Sequence, residues 1–214
     1  MDQEIEIISS ETRKEKIKNF FINNKKTLIS VLLFFLIILF GFFFYKDYEK
    51  RNRDNLADKY YTAIIQYESG DTSKILESMK NVIEQKDKTY SPLAFYFLID
   101  NQLISSQDEI NSYFDLLINE LDLEDEIKNL TIYKKGLFNS DFVDENKLLE
   151  ILNPVIKSES MWKSHALYLM AEYLFDKNQK QKAKEFYNQI LSYKKSNNKI
   201  VQETQKRLRR DFSE

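Results

Sequence analysis

The run from Thr27 to Tyr45, nineteen residues without a single charge, constrains this chain more than any other stretch. At about 1.5 Å per residue it matches the ~30 Å hydrocarbon core of a bilayer, and a helix satisfies every backbone polar group inside such a run. It reads as a membrane-spanning helix. The competing reading, a cleaved signal peptide, calls for an apolar stretch of about 7–15 residues closed by small residues. Here the run closes in Phe42-Phe43-Phe44-Tyr45-Lys46 with no A-x-A pattern beside it, so the anchor is expected to stay on the mature protein. The chain thereby falls into a basic tail (1–26), the span (27–45), a charged stalk (46–55) and a domain (56–214).

After the span come 169 residues, enough for one core that buries about 70% of the unfolded surface. They carry 26 basic and 29 acidic side chains, which gives no electrostatic footprint for nucleic acid. The absence of cysteine removes disulfides, thiolate metal sites and cysteine nucleophiles. Only Gly41, Gly70, Gly136, Pro92 and Pro154 occur, so the tight-turn chemistry that sheets need is nearly missing. The expected class is all-α.

Ahead of the span, Ile17, Phe20 and Phe21 share helical spacing among Lys14, Lys16, Lys18, Lys25 and Lys26. This segment reads either as an amphipathic helix in the headgroup layer or as a disordered basic tail that sets orientation. In the stalk, Asp47 with Arg51, Glu49 with Arg53 and Lys50 with Asp54 stand four apart, the pattern of a solvated helix. From Leu56 onward amphipathic helices pair at intervals of about 35 residues, the length of a helix-turn-helix repeat of the tetratricopeptide kind. The predicted pairs are Leu56–Ser69 with Thr72–Gln85, Ser91–Ile104 with Asp108–Leu121, and Glu124–Asn139 with Glu145–Ile156. Ser91-Pro92 reads as a helix start and Ser106-x-x-Glu109 as a capping box. In the fourth pair, small Ala171 and Ala183 stand where two helices approach closely, Asn178 stands at the turn, and Tyr187 and Ile190 lie on the buried face. Ile200, Thr204, Leu208 and Phe212, four apart within Lys199–Phe212, form the inner stripe of a capping helix.

This architecture, with the last repeat MWKSHALYLMAEYLFDKNQKQKAKEFYNQIL, resembles the YfgM-like family over about residues 11–212. The resemblance implies a bacterial inner-membrane protein with a cytoplasmic N-terminus, a periplasmic tetratricopeptide-like α-solenoid of about four helix pairs, and a non-enzymatic role. It also implies, as partners, the Sec translocon and a periplasmic chaperone, with membrane lipid around the anchor. Basic residues settle the topology poorly: six before the span stand against Lys46, Lys50, Arg51, Arg53 and Lys59 after it. A membrane-anchored receptor or scaffold facing the cytosol is the rival reading.

No phosphate loop, dinucleotide fingerprint, nucleophile elbow or zinc-protease motif occurs, and no cofactor is expected. The acidic knot Asp122, Glu124, Asp125 and Glu126 reads as helix initiation, since acids there favour the helix dipole, with cation binding as the alternative. Tyr60, Tyr67, Phe95, Ile99, His165, Tyr168 and Glu172 fall on one notional inner face when the repeats are aligned. They are read as a mixture of core aromatics and anchors of a partner groove.

Overall fold

The computed structural model describes residues 15–16, 18–70 and 74–212, and the described chain is all-α. Two units are distinguished, one up to Asn55 and one from Leu56 onward. After a helical turn over residues 18–23, the helices are α1 Lys25–Glu68, α2 Ile75–Glu84, α3 Tyr90–Asp100, α4 Gln107–Glu120, α5 Asp125–Asn139, α6 Glu145–Lys157, α7 Lys163–Asp176, α8 Lys180–Ser192 and α9 Asn198–Asp211.

In the first unit, α1 contains a stretch of mean hydropathy 2.9 with no buried residue, long and apolar enough to cross a membrane. Of the expected stalk pairs, Asp47 and Arg51 meet at 2.7 Å on an exposed surface. Lys14, Ile17 and the predicted start at Thr72 lie outside the described residues.

In the second unit the helices build two adjoining cores. Tyr60, Met79, Ile83, Phe95, Leu98, Phe114 and Leu117 fill the first. Leu148, Leu152, Leu167, Met170, Leu174, Tyr187 and Ile190 fill the second, and Ile118 packs against both. The closest backbone packing is between α7 and α8. The expected small residues explain it: Ala171 and Ala183 are fully buried there, joined by Ala166. In α5, Gly136 does the same job, because a Cβ at that position would come within 2.4 Å of Leu152 Cδ2 on α6. The first two pairs behave differently. Large rings stand between their helices, and α2 packs most closely on α3 rather than on α1.

Helix ends correct several of the sequence expectations. The helix expected to reach Ile104 stops at Asp100, because Gln102 turns left-handed (φ 54°) and the Leu103 amide donates back to the Leu98 carbonyl at 2.9 Å. That reversal sends Leu103 and Ile104 into the core. Asn178 (φ 59°) makes the same motif after α7, as its αL tolerance suggested, with the Gln179 amide bonded to Leu174 O at 2.9 Å. Ser91 does not cap α3. Its hydroxyl is buried and donates to Val82 O at 3.1 Å, while Asp87 accepts from the Thr89 and Tyr90 amides at 2.8 Å each. Ser106 caps α4 by accepting from the Glu109 amide, but the Glu109 carboxylate turns to Lys80 instead of completing a capping box. Pro154 lies inside α6 on an exposed position, where the Glu150 carbonyl it leaves without a helical partner can be hydrated.

Candidate functional site

Odd-numbered helices lie beside one another, and their lateral contacts are aromatic. Tyr60 of α1 meets Tyr90 at 5.9 Å between ring centroids, and Tyr67 meets Phe97 at 5.3 Å. The Tyr96 hydroxyl of α3 donates to Thr131 Oγ1 of α5 at 3.2 Å, while Lys134 sits 3.7 Å above the Tyr96 ring. Tyr133 of α5 stacks on Trp162 and stands edge-on to His165 of α7. Phe175 of α7 packs against Phe212, just past α9. Even-numbered helices are tied differently, by partly exposed ion pairs: Lys80 with Glu109 across α2 and α4, and Lys182 with Glu145 at 2.7 Å across α8 and α6. Such pairs contribute little, about 0–1 kcal/mol each.

The seven predicted residues divide between core and partly exposed positions. Phe95 is fully buried and meets Phe114 at 4.8 Å, so it is core. Tyr60 is buried as well, held by Tyr61 and Tyr90. Tyr67 and Ile99 are half-buried against the first core. His165 is half-buried between Trp162 and Tyr133, and burial lowers its pKa. The odd layer instead presents Tyr61, 54% exposed, and Ile65, 66% exposed, four apart on α1, with Leu93 on α3. A simple i, i+4 pair of large apolar residues on the polar side of α1 was the signal for these two.

Tyr168 and Glu172 are engaged by α9. The Glu172 carboxylate accepts from Tyr187 Oη at 2.5 Å and from Arg207 Nε at 2.8 Å, and a second Arg207 nitrogen completes a fork. Burial alone would raise the Glu172 carboxyl. The Arg207 and Tyr187 hydrogen bonds outweigh it and hold the pKa below the ordinary value. Tyr168 is half-buried beside the same carboxylate, and desolvation with the nearby Glu172 charge pushes its pKa up to about 12. Arg207 also reaches Asp211 at 3.2 Å. Thus α9 sits on the inner side of the fourth pair through charge as well as through Ile200, Leu208 and Phe212. Thr204, predicted on that stripe, is fully buried, and its hydroxyl has no hydrogen-bond partner among the described residues.

The acidic knot is divided by the start of α5. Asp125 and Glu126 stand in its first turn, and Glu126 accepts from Ser160 Oγ at 2.6 Å. Among the described residues no three of His, Asp and Glu are grouped to hold a metal ion.

Residues 18–108 match a family model described as a tetratricopeptide repeat-like domain. No curated protein and no solved structure matches the chain. Beyond residue 108, α5 with α6 and α7 with α8 are close neighbours joined by short turns, a tighter pairing than α1 and α2 make within the matched part.

Proposed function

We propose that this chain is a membrane-anchored, non-enzymatic interaction protein whose helical-repeat domain holds protein partners at the membrane surface. One observation carries the reading: the tetratricopeptide-like match begins at residue 18 and so takes in the apolar stretch together with the first repeats. Helix α1 runs unbroken from Lys25 to Glu68, which favours a retained anchor over a cleaved leader. The aromatic odd layer offers large contact area at low entropy cost, as partner surfaces do. The more specific role, an ancillary subunit of the Sec translocon and a periplasmic chaperone network in a bacterial inner membrane, follows from the family resemblance and the slight basic excess ahead of the span.

Two measurements test this. Protease added to sealed spheroplasts should digest residues 46–214 and spare the tail; a protected domain would reverse the topology and favour the cytosol-facing receptor. A photocrosslinker at Tyr61 or Ile65 in native membranes should capture protein partners, and replacing the anchor with an unrelated span should preserve them. Loss of crosslinks with the foreign anchor would move recognition into the bilayer.

A further inference from the structure

Ahead of the span, charge and apolar surface are sorted in a way that crossing a bilayer does not by itself require. Residues 12–26 carry six basic side chains and one acidic, Glu15, and the tail's other four acids all precede Thr12. Just after the span, residues 46–55 are nearly balanced at four basic to three acidic. Lys16, Lys18, Lys25 and Lys26 are exposed and have no ion-pair partner among the described residues. Phe20, Phe21 and Ile22 stand among them, each more than half exposed, and side chains of that size gain by leaving water. The helical turn that carries them runs on into α1: the Asn24 amide donates to Phe20 O at 3.0 Å and the Leu28 amide to Asn24 O at 2.9 Å. At about 1.5 Å per residue, Phe21 stands about 9 Å along the axis from Thr27, a distance comparable to the thickness of the headgroup layer.

A shallow apolar groove of about 410 Å³ descends the helix from there, lined by Phe21, Ile22, Lys25, Leu28, Ile29 and Leu32. The Lys25 ammonium is the charged group of its lining and lies toward the upper end, while Leu28, Ile29 and Leu32 below it are aliphatic. A phospholipid has the same layout, with an acyl chain below and a phosphate above. We infer that this end of the anchor binds anionic phospholipid, the groove taking an acyl chain, Phe20 and Phe21 entering the headgroup layer, and Lys25 with Lys16, Lys18 and Lys26 holding the headgroup. A zwitterionic headgroup brings its own cation to six basic groups and a single acid, whereas an anionic one neutralises them. An acidic protein segment would meet the lysines too, but the groove runs down into the hydrocarbon, where an acyl chain fits and an unpaired peptide backbone does not. The inference rests on the reading that α1 is a retained anchor, and it names the lipid that anchor prefers.

The test uses the full chain in phosphatidylcholine vesicles doped with spin-labelled phosphatidylglycerol or spin-labelled phosphatidylcholine, and reads the motionally restricted lipid by electron paramagnetic resonance. Phosphatidylglycerol should associate about five-fold more strongly, the factor set by one lysine near a charged headgroup. Replacing Lys16, Lys18, Lys25 and Lys26 by Gln should abolish that preference. The same change at Lys46, Lys50, Arg51 and Arg53, on the other side of the span, should leave it in place. Equal association of the two lipids with the wild type, or a preference that survives the tail substitutions, would overturn the inference. Because the chain has no cysteine, a nitroxide at Leu36→Cys reports the depth of the span cleanly and separates the two readings. If that label lies at hydrocarbon depth while the lipid preference is absent, the anchor stands and the lipid site falls; if the label is open to a water-soluble relaxant, the anchor falls with it.

Discussion

Arg207 is where one substitution should loosen α9 from α7, and Arg207→Met tests this while keeping the aliphatic stem and the helix propensity. The side chains of Arg207 and Glu172 are only 26% and 27% exposed, so their pairing is worth more than a surface ion pair and less than a fully buried one. A hydrogen bond to a charged group contributes about 1.5–3 kcal/mol, and removing the guanidinium leaves Glu172 partly desolvated with the Tyr187 donor alone. We expect a loss of about 2 kcal/mol, which for a domain of this size lowers the melting temperature by about 4–8 °C. The assay is thermal unfolding of the full chain in detergent, followed by far-UV circular dichroism and by the fluorescence of Trp162. A double-mutant cycle with Glu172→Gln should return a coupling of at least about 1 kcal/mol.

The pH dependence has a definite sign. Glu172 has a folded pKa below its ordinary value of 4.5, so its contribution is complete above that value and disappears as pH falls through the lowered folded one. The wild type should therefore lose stability on this acid limb, and Arg207→Met should flatten it. A coupling below about 0.3 kcal/mol, within the additivity expected of independent sites, together with an unchanged acid limb would refute the view that charge seats α9.

Asn111 and Asn139 exchange side-chain amide bonds of 3.0 and 2.7 Å between α4 and α5, so Asn139→Leu should cost about 2 kcal/mol by orphaning its partner. Asn111→Leu added to it should recover part of that loss in chemical denaturation; a further additive loss would mean the pair is not coupled. Gly136→Ala should destabilise by about 1–2 kcal/mol despite better helix propensity, because Leu152 is fully buried and cannot swing away freely. A stabilised variant would show that α5 and α6 separate at little cost. Thr204→Val removes a buried hydroxyl that has no partner among the described residues and should raise the denaturation midpoint by the equivalent of about 1 kcal/mol. A lowered midpoint would indicate that the hydroxyl is bonded through water.

The all-α class and the pairing of helices were legible in the sequence because apolar periodicity and the shortage of glycine point the same way. Ala171, Asn178, Ala183 and Tyr187 took the positions their sizes and backbone tolerances suggested. The helix ends were harder to read. The end of α2 fell within a residue of the expected Gln85, but Gln102 adopts left-handed backbone that sequence rules reserve for glycine or asparagine, so the stop of α3 carried no visible punctuation. The inner face was harder still. Helical spacing places Phe95 and Tyr67 on related faces, but which one a neighbour covers depends on how far apart the helices stand. That distance is set by contacts remote in sequence, such as Tyr96 with Thr131 and Glu172 with Arg207, which no local pattern announces.

The contrast between the two layers bears on where a partner would bind. Ion pairs between even helices are partly exposed and would have to shed water to meet another protein, for little return. Aromatic edges between odd helices are already largely dehydrated by their neighbours, so covering what remains of Tyr61, Ile65 and Leu93 gains apolar burial at little further cost. The odd layer is also where the chain occupies its own surface, since α9 meets Phe175 through Phe212 and Arg207. With Phe175 already covered by the chain itself, the partner surface is better sought around Tyr61, Ile65 and Leu93 than among the charged pairs of the even helices.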